Sequence, residues 1–223
     1  MQMILFLIST FLFFPLLHGK ECTIVLSHPA AYHRDKHAHS KECDQAALQC
    51  CEVIKSSLET TYSHVTVVIM PTASKHTDPL RYASCTNALG ADLYIMISFV
   101  YKKQAELSLF YFSLDAQKND FKKKKAQGIA FVPLDQAHIP VQTLTQTCIN
   151  HCYSVLNMYQ SLFMCTTPVG FLCKPLLGLQ CPALHVQATV LHDDDWRRYA
   201  APTAQAIGGI FEHALLEKVS DVT

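Results

Sequence analysis

Apolar and polar positions fall into blocks along the chain, and each block has its own period. Residues 23–26 (TIVL) form a short apolar run, which reads as a buried strand. Residues 27–41 turn polar and carry His28, His33, His37 and His39, as a loop would. From Glu42 the spacing becomes three and four. Ala46, Ala47, Cys50, Val53, Ile54 and Leu58 then stripe one face of a helix. Residues 65–70 (VTVVIM) are continuous, β-branched and stopped by Pro71, which predicts an interior strand. A weaker helical pattern covers 80–89, and 92–100 (DLYIMISFV) reads as another buried strand.

The second half continues the alternation. Residues 106–114 alternate and are rich in aromatics, predicting a strand nearer the sheet edge. Residues 143–163 form an amphipathic helix through Leu144, Cys148, Cys152, Val155, Tyr159 and Leu162. Residues 182–190 read as a strand with two distinct faces. Asp193, Asp194 and Asp195 are placed to cap the last helix. That closing helix spans 199–216 and is buried through Thr203, Ala206, Ile207, Ile210 and Ala214, with Gly208 and Gly209 costing about 1 kcal/mol each relative to Ala. Strands and helices in this order predict one α/β domain, with a mostly parallel central sheet flanked by helices.

Composition narrows the classes. Of 223 residues, 50% are apolar and 16% charged, enough for a real core. Lys+Arg and Asp+Glu are both 18, so no broad basic field exists for nucleic acid or for an anionic membrane. The lysines at 122–125 read as a solvated face. Residues 4–17 (ILFLISTFLFFPLL) are almost wholly apolar. A helix of that length rises only ~21 Å against a hydrocarbon core of ~30 Å. That favours a secretory leader over residues 1–19, with an uncleaved anchor through 4–17 as the competitor. Either one implies export, to a periplasm or the extracellular space.

Ten cysteines, all beyond residue 20, permit up to five disulfides in an exported protein. The competing reading is that several are small buried apolar side chains. No CxxC occurs, so neither a thioredoxin-type motif nor a zinc ribbon is supported. A cysteine-nucleophile hydrolase has no local signature either.

Taken in order, several segments resemble the zinc-dependent N-acetylmuramoyl-L-alanine amidases. Residues 87–98 (NALGADLYIMIS) resemble the family's asparagine, turn, Ala-Asp-Leu and strand, with Arg81 close to the family's preceding arginine. Residues 182–187 (PALHVQ) are similar to its Pro-Ala-Val-Leu-Val-Glu strand, and 204–210 (AQAIGGI) to its closing helix. The likeness covers roughly 23–216. It implies a zinc-amidase-like fold, peptidoglycan or a cell-envelope protein as partner, and a membrane link only through an uncleaved leader.

The resemblance also implies a site. The family holds zinc with two histidines and a glutamate, and a second glutamate acts as base. Glu42 falls where the ligand glutamate opens the first helix. The first histidine falls on Ala30 without gaps, or on His28 with a two-residue shortening. The second falls on Ser98, whose neutral hydroxyl is a poor zinc ligand, and the catalytic glutamate falls on Gln187, which takes no proton at neutral pH. The inference is an impaired amidase that binds without cleaving. The alternative is an active zinc amidase with a rewired site of Glu42, a loop histidine and His185, since His185 shares a strand face with Gln187.

Overall fold

The computed structural model describes residues 21–28, 40–70, 79–113, 138–171, 173–192 and 194–212. Residues 4–17, His33, His37, His39, the lysines at 122–125, Asp193 and Ala214 lie outside them. The elements run β1 (Cys22–Ser27), α1 (Ser40–Thr61), β2 (Val65–Ile69), α2 (Pro79–Ala88), β3 (Leu93–Tyr101), β4 (Glu106–Phe112), α3 (Gln142–Leu156), β5 (Met164–Cys165), β6 (Val169–Phe171), β7 (Ala183–Val190) and α4 (Arg197–Ile210). Among these residues no helix is long and apolar enough to cross a membrane.

One sheet carries all seven strands, in the order β2-β1-β3-β7-β4-β5, with β6 also paired to β4. β2, β1, β3 and β7 run parallel to one another. β4 is antiparallel to β7, and β5 and β6 run parallel to β4. Successive strand side chains point to opposite faces, so the core divides in two. Ile24, Leu26, Leu93, Ile95, Ile97, Leu184 and Val186 meet the apolar stripes of α1, α3 and α4. Val25, Tyr94, Met96 and Ala183 face Ala83 of α2 together with Cys173, Leu176, Leu179 and Cys181. This is the predicted α/β architecture of a single domain, a central sheet flanked by helices.

Several expectations are corrected. β2 is an edge strand rather than an interior one. Its apolar run is explained by α1, which covers it and also occupies its open side. The Val67 N–H donates to Glu59 Oε1 at 2.9 Å, Lys55 Nζ donates to the Val67 carbonyl, and the two side chains pair at 2.6 Å. A Lys–Glu pair thus stands where a further strand would bond. Val53 is 42% exposed, whereas Ala46, Ala47, Cys50, Ile54 and Leu58 are buried. It lies about 100° around the helix from Ile54, off the stripe.

The helix expected over 143–163 ends at Leu156 and continues as a 3₁₀ turn, Asn157–Tyr159. The Tyr159 carbonyl then accepts from Leu162 and Phe163 N–H groups, leaving Leu162 exposed while Phe163 packs its ring 5.0 Å from that of Tyr199. Asp194 and Asp195 do not cap α4. Its N-cap is Trp196, without a side-chain cap bond. Asp195 instead faces backwards, accepting from the N–H groups of Leu191 at 2.8 Å and His192 at 2.9 Å.

None of the ten cysteines is joined in a disulfide, and eight are buried. Burial pushes the Cys50 and Cys181 thiols up to about 12, and Cys165 and Cys173 up to about 11. Thiols so raised are poor nucleophiles. Gly208 and Gly209 turn out to be packing devices. A Cβ on Gly208 would come within 2.6 Å of the Tyr62 hydroxyl, and one on Gly209 would strike the His151 ring.

Candidate functional site

The pairing of β3 with β7 positions the central part of the site. Met96 stands opposite His185 and Ser98 opposite Gln187. Residues two apart share a strand face, so Met96, Ser98, His185 and Gln187 all lie on the α2 side of the sheet. β4 extends the same face from the other side, with Phe110 opposite His185 and Ser108 opposite Gln187.

Within this face Ser98 Oγ and His185 Nε2 lie 2.7 Å apart, hydrogen-bonded. Ser98 is 6% and His185 8% exposed. The His185 ring packs at 5.4 Å from the Phe110 ring, tilted by 42°. Gln187 is half-buried and is the one residue of β7 that is not buried. The site therefore presents a hydroxyl, an imidazole and a carboxamide in one patch, with an aromatic ring on its flank.

The remaining candidates come from the ends of two other elements, α1 and β1. Glu42 is exposed in the first turn of α1. His28 follows the last residue of β1 and is only 2% exposed. Burial lowers its pKa, and the Asp44 and Glu52 carboxylates partly pull it back up. Just before it, Ser27 Oγ bonds the Tyr94 hydroxyl at 2.6 Å, and burial raises the Tyr94 phenol well above its usual value.

A catalytic zinc takes three protein ligands with an open fourth position. Among the described residues no group of three or more His, Cys, Asp or Glu side chains is placed to hold a metal ion. Ser98 brings a neutral hydroxyl already engaged by His185, so the described donors do not fit a zinc site.

Two contributors escaped the sequence reading. Phe110 and Ser108 belong to the site only because β4 pairs antiparallel with β7, a long-range register with no local signal. Asn87 was legible through the resemblance alone. Its side chain donates to the Gly178 carbonyl at 2.9 Å and accepts from the Gln180 N–H at 3.0 Å. It thereby clamps the segment in which Gly178 adopts φ +84°, a turn that favours glycine.

No protein-family model and no curated protein matches the chain. Solved structures do match its fold. The N-acetylmuramoyl-L-alanine amidase from Clostridium difficile 630 superposes with a TM-score of 0.58 at 13% identity, covering 87% of this chain and 99% of that one. The amidase AmiC2 of Nostoc punctiforme gives 0.58 at 11%, over 87% and 100% of the two chains. The catalytic domain of CwlV, an amidase from Bacillus (Paenibacillus) polymyxa var. colistinus, gives 0.57 at 10%, over 84% and 98%. At such identities the likeness shows the fold, and the fold is that of these amidases.

Proposed function

We propose that the chain is a peptidoglycan-facing protein built on the amidase fold, in which zinc-dependent hydrolysis is impaired and binding remains. The observation that carries this reading is the Ser98–His185 hydrogen bond. It occupies the position where the resemblance places a metal-binding histidine, while Gln187 stands where it places the catalytic glutamate. A carboxamide is not able to serve as the base that activates a metal-bound water. The neighbouring folds are N-acetylmuramoyl-L-alanine amidases by name, which supports cell wall, or a cell-envelope protein, as the partner.

The reading includes an exported chain, with residues 1–19 as leader or anchor and 23–216 as the binding domain. Glu42 and His28 are then remnants of a ligand set rather than ligands.

The test is metal content together with binding. The chain is purified without added zinc, analysed for metal, and sedimented with insoluble peptidoglycan. Co-sedimentation with no zinc bound, and no release of peptide from the wall, supports the reading. About one zinc per chain, lost in Glu42→Ala, would overturn it in favour of the rewired amidase. The register itself is checked by Ser98→His with Gln187→Glu, which should raise zinc affinity; no change would remove the assignment of those two positions.

A further inference from the structure

Hydroxyls are used in two different ways on this sheet. Thr189 Oγ1 donates to the Gln104 carbonyl at 2.6 Å and accepts from the Glu106 N–H at 2.8 Å, a structural tie between β7 and the turn before β4. Ser27 pairs with Tyr94, a phenol whose pKa is raised and which is no base at neutral pH. Ser98 differs from both. Its partner is an imidazole nitrogen at 2.7 Å, a group that can accept the hydroxyl proton, inside the 2.6–3.2 Å range of a nucleophile–base pair.

We propose that Ser98 is an acyl-accepting nucleophile, with His185 as its base and Gln187 as hydrogen-bond donor to the oxygen that becomes charged. Three relationships support the assignment. Parallel pairing sets the Ser98 and Gln187 backbones directly opposite one another, on strands about 4.8 Å apart, so the carboxamide stands beside the hydroxyl on the same face. Phe110 holds the imidazole from its flank, limiting its rotation. Gln187 and Ser108 are half-buried rather than buried, so the patch has a side from which a ligand enters. No metal is needed, and the residues replacing a metal ligand and a carboxylate acquire a chemistry of their own.

The ligand class is a carboxylic ester or amide. With His185 Nε2 as acceptor, the Ser98 proton passes to it as Oγ forms a bond to the carbonyl carbon. The carbonyl electron pair moves onto its oxygen, where the Gln187 side-chain N–H donates. Collapse breaks the bond to the leaving oxygen or nitrogen, which takes the proton from His185. Water, giving its proton to His185, then releases the acid and restores Ser98.

The proposal takes from the preceding section only the location of the ligand face. Failure to bind cell wall and failure to acylate are therefore separate results. The experiment treats the full chain with an alkyl fluorophosphonate, which loses fluoride to an activated serine, and maps the adduct by peptide mass spectrometry. One adduct on Ser98 is expected. Its rate should rise with pH as the imidazole loses its proton, and then level off. His185→Gln should slow labelling at least about 100-fold. Gln187→Leu should slow acetyl transfer from p-nitrophenyl acetate about 100-fold. A folded wild-type chain left unlabelled at Ser98, or labelled at a rate that ignores pH, overturns the proposal. Neither result depends on a variant folding.

Discussion

Ser98 and His185 are hydrogen-bonded although they are not register partners: His185 is paired with Met96, and its ring reaches along the strand to the hydroxyl two residues further on. The parallel register of β3 and β7 brings the two together. A slip of one residue would put His185 on the opposite face, beside Ile95 and Ile97 of β3.

The glycines of α4 yield a prediction opposite in sign to propensity. In an open helix Gly209→Ala would stabilise by about 1 kcal/mol. Here the new methyl group meets the His151 ring, so the change should destabilise by about 1–3 kcal/mol in urea denaturation. His151→Ala should restore most of that loss in the double variant. Equal and additive effects would show that the two helices do not approach as described.

Removing the Lys55–Glu59 pair should expose the open side of β2. Lys55→Ala with Glu59→Ala leaves Val67 without its side-chain partners, and light scattering should show self-association that the wild-type chain lacks. Hydrogen bonds from Lys55 and from the Val67 N–H hold the Glu59 carboxyl below its usual 4.5. A depressed carboxyl stabilises above its unfolded pKa, and that contribution is lost as pH falls through the folded value. Association of the wild-type chain should therefore begin only below about pH 4.5.

His28 predicts a second pH dependence, at higher pH. Burial lowers its pKa from 6.5, so the folded chain keeps it neutral while the unfolded chain takes up a proton. Its stabilising contribution is complete above about 6.5 and is lost progressively as pH falls from there through the folded pKa. Thermal unfolding between pH 5 and 7 should show this slope, and His28→Gln should flatten it.

Thiol titration separates the two readings of the cysteines. Ten thiols should react with Ellman's reagent in denaturant without prior reduction, and in the native chain only the half-buried Cys85 should react readily, since burial raises the pKa of the equally half-buried Cys165. A count near zero before reduction would show disulfides formed in an oxidising compartment.

How far the sequence could be read depended on the distance over which each signal acts. The stripe Ala46, Ala47, Cys50, Ile54 and Leu58 was visible because a helix repeats within a few residues, and β1 and β3 were visible as short apolar runs. Val53 was misplaced at the margin of that stripe, where one residue step decides burial. The end of α3 at Leu156 was missed because the apolar spacing persists through Phe163 after the backbone has left the helix. β2 read as interior because VTVVIM is as apolar as a central strand, and nothing local reveals that Lys55 and Glu59 seal its edge.

The candidate site divides along the same line. Glu42, His28, Ser98 and Gln187 could be named from order and resemblance, and His185 from its parity with Gln187. By itself the sequence determined the α/β class, the order of elements and the residue types available for chemistry, because period and local composition are properties of neighbouring residues. The tertiary structure decided that Ser98 meets His185, that Phe110 and Ser108 join them, and that Glu42 stands exposed. Strand order and register arise from contacts between residues tens of positions apart, and those are settled by how whole faces pack.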